Sequence, residues 1–331
     1  MVSAYAPAPV DELLRPYSDE LDTGSLAQTI GDYLTGTEKG IQGCYTLLPT
    51  PSHMKVGESA CDIYFARDLK DDTEWVVKGS LSDQDRFLAM GEAAVYDLAH
   101  RPGLDDITVP YTKYGNFLVL NGEDGPFCTS GSSQEFVKNR GALPNPKWSE
   151  DDYFGKDRTD FLVRNQVFDW FIGNFDTHHK NFLVGRDGQY HAIDKGQAFR
   201  FYGKDELSHT YDTPKVWTPV YNDMWTHYIE GACEVDLDAA EKVITAIEAI
   251  PDQEIEEILR PYALEREKSL QAFNSTDSAF VSADDFIDAV IERKNSLRGD
   301  FEHFYTEMQQ RRAESEKRSD PVSRELIDTG R

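Results

Sequence analysis

The hydrophobic pattern alternates between helical and strand-like periods along the chain. Residues 10–17 and 25–34 carry apolar positions at helical spacing, with Asp11 and Ser25 placed to cap them. From Gly40 the period shortens. Residues 44–48, 60–66 and 74–78 are rich in β-branched and aromatic side chains and predict strands. The turn-rich stretch 49–57 (PTPSHMKVG) and the charged stretch 68–73 connect them. A helix is predicted over 82–100. Ser82 and Asp85 mark its start, and Phe87, Met90, Ala94, Tyr96 and Leu98 give it an apolar face. Segments 108–111 and 116–120 are again strand-like and end at the strong turn signal NGEDGP, 121–126. Residues 127–150, rich in Gly, Ser and Pro, read as an elaborated loop.

The second half has a longer period. Phe161, Leu162, Val167, Phe168, Phe171 and Ile172 predict a helix over 157–173. Short strands at 182–184 and 191–193 are joined by a hairpin turn at 185–188. Helices follow at 239–250 after Asp238 as cap and at 253–259 up to Pro261, and 282–312 reads as a helical hairpin or one long helix behind a Ser282–Asp285 capping box. Residues 313–331 are charged, lack apolar periodicity and read as disordered. The expected architecture is α+β. A helical extension (1–39) precedes a small antiparallel-sheet lobe with one helix (40–121), a larger, mainly helical lobe (122–312) and a tail (313–331).

Charge adds a constraint. The chain has 331 residues and a formal net charge of -26, from 60 acidic and 34 basic residues spread along its length. A surface so acidic repels nucleic acid and anionic lipid, and fits adaptation to high salt. The four cysteines, Cys44, Cys61, Cys128 and Cys233, match no zinc spacing and read as free thiols. No apolar run is long enough to span a membrane, and the N-terminus carries no secretory pattern, so a soluble, cytoplasmic protein is expected.

The candidate chemistry concentrates in 168–201, FDWFIGNFDTHHKNFLVGRDGQYHAIDKGQAFRF. An apolar segment breaks into a polar loop, returns as a hairpin and ends on Asp-Lys-Gly. Asp176 and Asn181 are five residues apart, as a kinase spaces its catalytic Asp and metal-binding Asn. Asp194 follows the hairpin and precedes Xaa-Gly, where a kinase keeps its second metal ligand. Upstream, Lys78 closes the strand EWVVK, and Glu92 sits 14 residues later in mid-helix. Taken singly, Lys78 or Glu92 reads as a solvated surface residue. The ordered set Lys, Glu, Asp, Asn, Asp points to phosphoryl transfer, which needs a phosphate-binding cation, magnesium ligands and a group to orient the acceptor.

NFDTHHKNFLV followed by AIDKGQAF resembles the D-R-H-x-x-N … I-D-x-G core of the phosphoinositide 3-/4-kinase-like superfamily, which includes HipA-like and actin-fragmin-kinase-like atypical protein kinases. The resemblance is specific over about 165–201 and looser over 74–120. It implies a bilobal protein-kinase-like fold with ATP and Mg²⁺ as cofactors. It implies that Asp176 and His178 handle the acceptor hydroxyl, without deciding which takes the proton. Asn181 and Asp194 would hold magnesium, and Lys78, paired with Glu92, would contact the α- and β-phosphates. Residues 118–122, including Leu120, would form an adenine-facing hinge, and Ser52 in the 49–59 turn would help cover the phosphates in place of a glycine-rich loop. Thr177 stands where the family has Arg, with Lys180 or Lys195 as candidate replacements. Lys195 itself stands where Phe is common.

The leading expectation is a kinase for protein Ser/Thr hydroxyls. The acidic surface and the lack of a polybasic segment count against a lipid acceptor. Alternatives are a lipid or small-molecule kinase of the same fold, an AMP-transferase, a nucleotide-binding pseudokinase, and a metal-dependent hydrolase built on His178, His179 and Asp194. The protein substrate and the oligomeric state are left open. Trp217, Tyr221 and Trp225 read as packing, and His209 and His227 as structural.

Overall fold

The computed structural model describes residues 23–36, 40–51, 61–79, 86–123, 125–144, 153–208, 211, 219–273 and 278–319. The expected helix at 10–17, Ser52 and most of its turn, the Ser82–Asp85 cap, His209, Trp217 and residues 320–331 lie outside that set. The fold is mixed α+β, as the sequence indicates. Contacts divide the chain into two compact units, one of residues 1–93 and 110–137, the other of 94–109 and 138–331.

In the first unit, α1 (Thr23–Thr35) precedes β1 (Gly43–Leu47), β2 (Asp62–Asp68) and β3 (Glu74–Gly79). Helix α2 (Arg86–Ala99), β4 (Thr112–Gly122) and β5 (Gly125–Glu135) follow. The five strands close into a barrel in the order β1-β2-β3-β5-β4. All pairings are antiparallel except β1 with β4, which is parallel, so the expected antiparallel sheet is closed by one parallel seam. Alternate side chains fill one face: Tyr45, Ala66, Trp75, Val77 and Phe117 form a buried cluster. Helix α1 packs Ile30 onto Cys44, Leu118 and Leu120.

Several boundaries differ from expectation. Residues 108–111 are not a strand; β4 runs unbroken from Thr112 to Gly122. The turn expected to separate two lobes at 121–126 is the tip of the β4–β5 hairpin, and the supposed loop after it is strand β5. The sequence CTSGSSQE hides this strand because its buried positions, on both faces, are polar: Ser132, Ser133 and Gln134 are buried and hydrogen-bonded, not apolar. A Gly-Ser run reads as a loop unless its tertiary partners are known.

In the second unit, β6 (Asn139–Ala142), β7 (Phe182–Gly185) and β8 (Tyr190–Ala192) form a small antiparallel sheet. Helix α3 (Lys156–Phe171) is buried nearly all round, through Phe161, Leu162, Val163, Val167, Phe168, Trp170 and Phe171. Around it lie α4 (Val220–Ile229), α5 (Leu237–Glu248) and α7 (Ala283–Ser319). The α3 residue Trp170 meets Phe301 and Phe304 edge-on, and Trp225 of α4 packs on Phe304 and donates to Gln166, the packing role expected for Trp225. Helix α5 is capped by Asp236, not Asp238. Helix α6 (Asp252–Phe273) continues through Pro261. Burying Ile255, Leu259, Tyr262 and Ala263 along one face against α7 outweighs the roughly 3 kcal/mol cost of an interior proline. Helix α7 starts with the anticipated Ser282 side chain accepting from Asp285 N–H. It runs on to Ser319, past the expected end at 312, laced by the i,i+4 pairs Arg312–Glu316 and Arg318–Glu314. None of the described helices is long and apolar enough to cross a membrane.

Candidate active site

Two clusters carry the expected chemistry, one in each unit. In the first, β3 has the burial alternation of a strand packed on one face, with Trp75 and Val77 inward. Lys78 is out of phase with them and faces Glu92 of α2. Its Nζ lies 2.7 Å from Glu92 Oε1. Glu92 is only 1% exposed, and its other oxygen, Oε2, accepts from Ser132 Oγ at 2.6 Å. Ser132 stands opposite Lys78 in the β3–β5 ladder, so strand register delivers cation and hydroxyl to one carboxylate. The adjacent Gly131 is a steric requirement. A Cβ there would lie 1.9 Å from the Lys78 carbonyl oxygen. Both carboxylate oxygens of Glu92 are therefore satisfied, which is the condition for keeping such a group buried.

In the second unit the site starts where α3 ends. Gly173, at φ +59°, takes the left-handed conformation that terminates the helix. Its N–H donates to Trp170 O, and the Asn174 N–H donates to Asp169 O, the two bonds of a Schellman cap. The cap turns the chain into the loop that carries Asp176, Thr177 and His178. Asn174 Oδ1 accepts the Asp176 N–H at 3.3 Å. A short 3₁₀ turn, His179–Asn181, then brings Asn181 back, and its Nδ2 donates to Asp176 O at 2.8 Å. The Asn181 carbonyl accepts the Ile193 N–H at 2.8 Å, tying the loop to the strand end that precedes Asp194. Asp176, Asn181 and Asp194 thus belong to one locally wired cluster. His178 Nε2 is 3.5 Å from Asp176 Oδ1, an electrostatic contact longer than a good hydrogen bond. Burial and the neighbouring His178 and Lys180 hold the His179 imidazole below its usual range, in its neutral form.

Asp194 has φ +57°, in the left-handed region. A non-glycine residue there costs on the order of 1–3 kcal/mol and persists only where its surroundings enforce it. Lys195, next in sequence, supplies the enforcement. Its Nζ is 2.7 Å from Asp169 Oδ1, and both side chains are 1% exposed. Lys195 is therefore committed to a buried ion pair and is not available as the cation expected to compensate for Thr177. Its Nζ lies 5.5 Å from the Phe182 ring. Thr177 is buried too, at 1% exposure, while Lys180 is exposed.

Leu120 does not sit in a hinge. It is 1% exposed in the cluster with Ile30, Cys44 and Leu118, and the strand around it pairs with β1 on one side and β5 on the other. In the expected hinge segment, Leu118, Val119 and Gly122 are paired in those ladders, and the register breaks between Val119 and Gly122. The chain passes between the units instead at Val109/Pro110 and Val137/Lys138, and within α2. Ser52 lies outside the described residues. Among the described residues no three or more His, Cys, Asp or Glu side chains converge as a metal centre. Asn181 and Asp194 offer hard oxygen donors of the kind magnesium takes, one carboxylate and one amide, with the remainder left to phosphate and water. Sequence reasoning missed Ser132, Asp169, Asn174 and Tyr221. No local signal marks Ser132 or Asp169, whose partners Glu92, Lys195 and Tyr221 are remote in sequence; Asn174 lies only two residues from Asp176, and that proximity is the signal that could have found it.

No family model matches the chain, and no curated protein matches it. Among solved structures it is similar to the crystal structure of a Helicobacter pylori proinflammatory kinase, CtkA. The similarity has 12% sequence identity and a TM-score of 0.39, and covers 83% of this chain and 99% of that one.

Proposed function

We propose that the protein is an ATP- and magnesium-dependent phosphotransferase of the atypical, phosphoinositide-kinase-like type, acting on Ser/Thr hydroxyls of a protein. The observation that carries this reading is the ion pair of half-buried Lys78 with buried Glu92 at 2.7 Å, with Ser132 completing the carboxylate. A cation so fixed loses little entropy when it meets a phosphate. The loop cluster supports it independently.

Lys78 is assigned to the α- and β-phosphates. Asn181 and Asp194 would hold magnesium, which supplies charge neutralisation on the phosphate oxygens when bound. Asp176 orients the acceptor hydroxyl and takes its proton, with His178 alongside to steady the charge. The hydroxyl oxygen then attacks the γ-phosphorus as the bond to the β,γ-bridging oxygen breaks. With Lys195 buried against Asp169, it is not available to stand in for the arginine that Thr177 replaces in the resembled motif, which leaves the exposed Lys180 as the remaining named candidate. That observation favours a second reading, nucleotide binding with slow or no turnover.

A thermal-shift series tests the assignment. Wild type should gain stability with ATP plus Mg²⁺ and not with either alone. Asp194→Ala should lose that gain, and Asp176→Ala should keep it. A full shift in Asp194→Ala would remove Asp194 from the metal site.

A further inference from the structure

The carboxylate of Asp169 lies inside the second unit, 1% exposed, among three donors from separate segments. Lys195 Nζ at 2.7 Å and Asn174 Nδ2 at 3.0 Å reach Oδ1, and the Tyr221 hydroxyl reaches Oδ2 at 2.5 Å. Burial and the nearby Asp169 charge push the Tyr221 phenol well above its ordinary range, so it remains a donor. Each donor belongs to something the chemistry needs. Lys195 follows Asp194, whose backbone is held left-handed. Asn174 accepts the Asp176 N–H with its own side-chain oxygen. Tyr221 starts α4, whose first N–H, on Val220, donates to Thr177 O at 2.9 Å.

We propose that Asp169 is a positioning residue that sets Asp176 and Asp194 relative to each other through Asn174 and Lys195. The inference rests on the kinase reading for its catalytic consequence, but its structural content stands alone. One buried carboxylate fastens both loops, so an error at one is transmitted to the other. Removing a single partner would leave an uncompensated charge and could simply unfold the unit. The informative variant is the double substitution Asp169→Asn with Lys195→Met, which removes both charges together.

Two readouts separate a positioning role from a purely structural one. The first is amide hydrogen exchange, which needs no activity. In the double variant, with thermal stability close to wild type, exchange of residues 174–178 and 193–198 should rise about tenfold or more, while α5 and α7 stay protected. Unchanged protection of those two loops in a stable double variant overturns the proposal. If the double variant melts far below wild type, Tyr221→Phe is used: raised exchange at 174–178 supports the proposal, and unchanged exchange there overturns it. The second readout is transfer of labelled γ-phosphate. In the double variant kcat should fall at least about 100-fold with the KM for ATP within a few-fold of wild type. Full kcat in a stable double variant also overturns the proposal. A wild type that binds no Mg·ATP would defeat the kinase reading, and the exchange result would still decide the role of Asp169.

Discussion

The Lys78 cluster and the Asp176–Asp194 cluster solve the same problem, holding charged groups in place, by different means. At Lys78 the proposed phosphate-binding cation is itself paired with a buried carboxylate, and regular structure does the holding. Strand register sets Lys78 opposite Ser132, and α2 supplies Glu92. In the second unit, Asp176 and Asp194 lie on loops, and a layer behind them does the holding: Asp169, Asn174, Lys195 and Tyr221. A ladder corrects small errors along its length, whereas a loop needs a dedicated support for each residue. The first cluster should therefore be fragile in stability when its charges are touched. In the second, substitutions of Asp176 or Asp194 themselves should cost rate, and the stability cost should fall on the buried Asp169–Lys195 pair behind them.

That contrast can be broken in order of expected effect. Glu92→Ala strands Lys78 beside an empty buried site and should cost about 3–5 kcal/mol of stability, measured by chemical denaturation. A loss under about 1 kcal/mol would show that the pair is solvated rather than structural. Gly131→Ala forces a Cβ into the Lys78 carbonyl and should cost about 1–3 kcal/mol or more, with weakened ATP binding. Ser132→Ala removes only the Glu92 Oε2 donor. It should cost about 1–3 kcal/mol and leave Mg·ATP binding measurable, with the change read from paired melting curves.

The smallest effect is a pH dependence. Burial is the main cause holding the His179 and His191 imidazoles below their ordinary range. Below a pH of about 6.5 the unfolded chain takes up protons that the folded chain refuses. The unfolded state then binds more protons, so stability is lost as the pH falls through that range. The melting temperature should drop on acidification, and His191→Gln should make the drop shallower. An identical slope in the variant would place the effect elsewhere.

How much of this could be read from the sequence depends on where the partners lie. Asp176 and Asn181 share one loop and are bonded across five positions, so their relation survives as a spacing. Lys78 and Glu92 are 14 residues apart on two elements with clear periods, so their order was readable though their contact was not. Asp169 is bonded to residues 26 and 52 positions away, and nothing in the run VFDWF separates it from a surface aspartate. Ser132 is hidden in a strand that buries hydroxyls instead of hydrocarbon. The expected hinge at 118–122 failed because a tight Gly-containing hairpin and an interdomain linker leave the same sequence trace. Pro261 shows the opposite failure, a local breaker overruled by tertiary packing.

The central claim is that this chain transfers phosphate with Asp176 as its proton acceptor. Its most direct test is an assay with γ-labelled and α-labelled ATP, magnesium and a protein extract, comparing wild type with Asp176→Ala. Label is expected from the γ position alone on protein hydroxyls. Transfer should fall about 10²–10⁴-fold in the variant, with its Mg·ATP thermal shift retained. Label from the α position would mean AMP transfer. Equal transfer by wild type and variant would contradict the role given to Asp176.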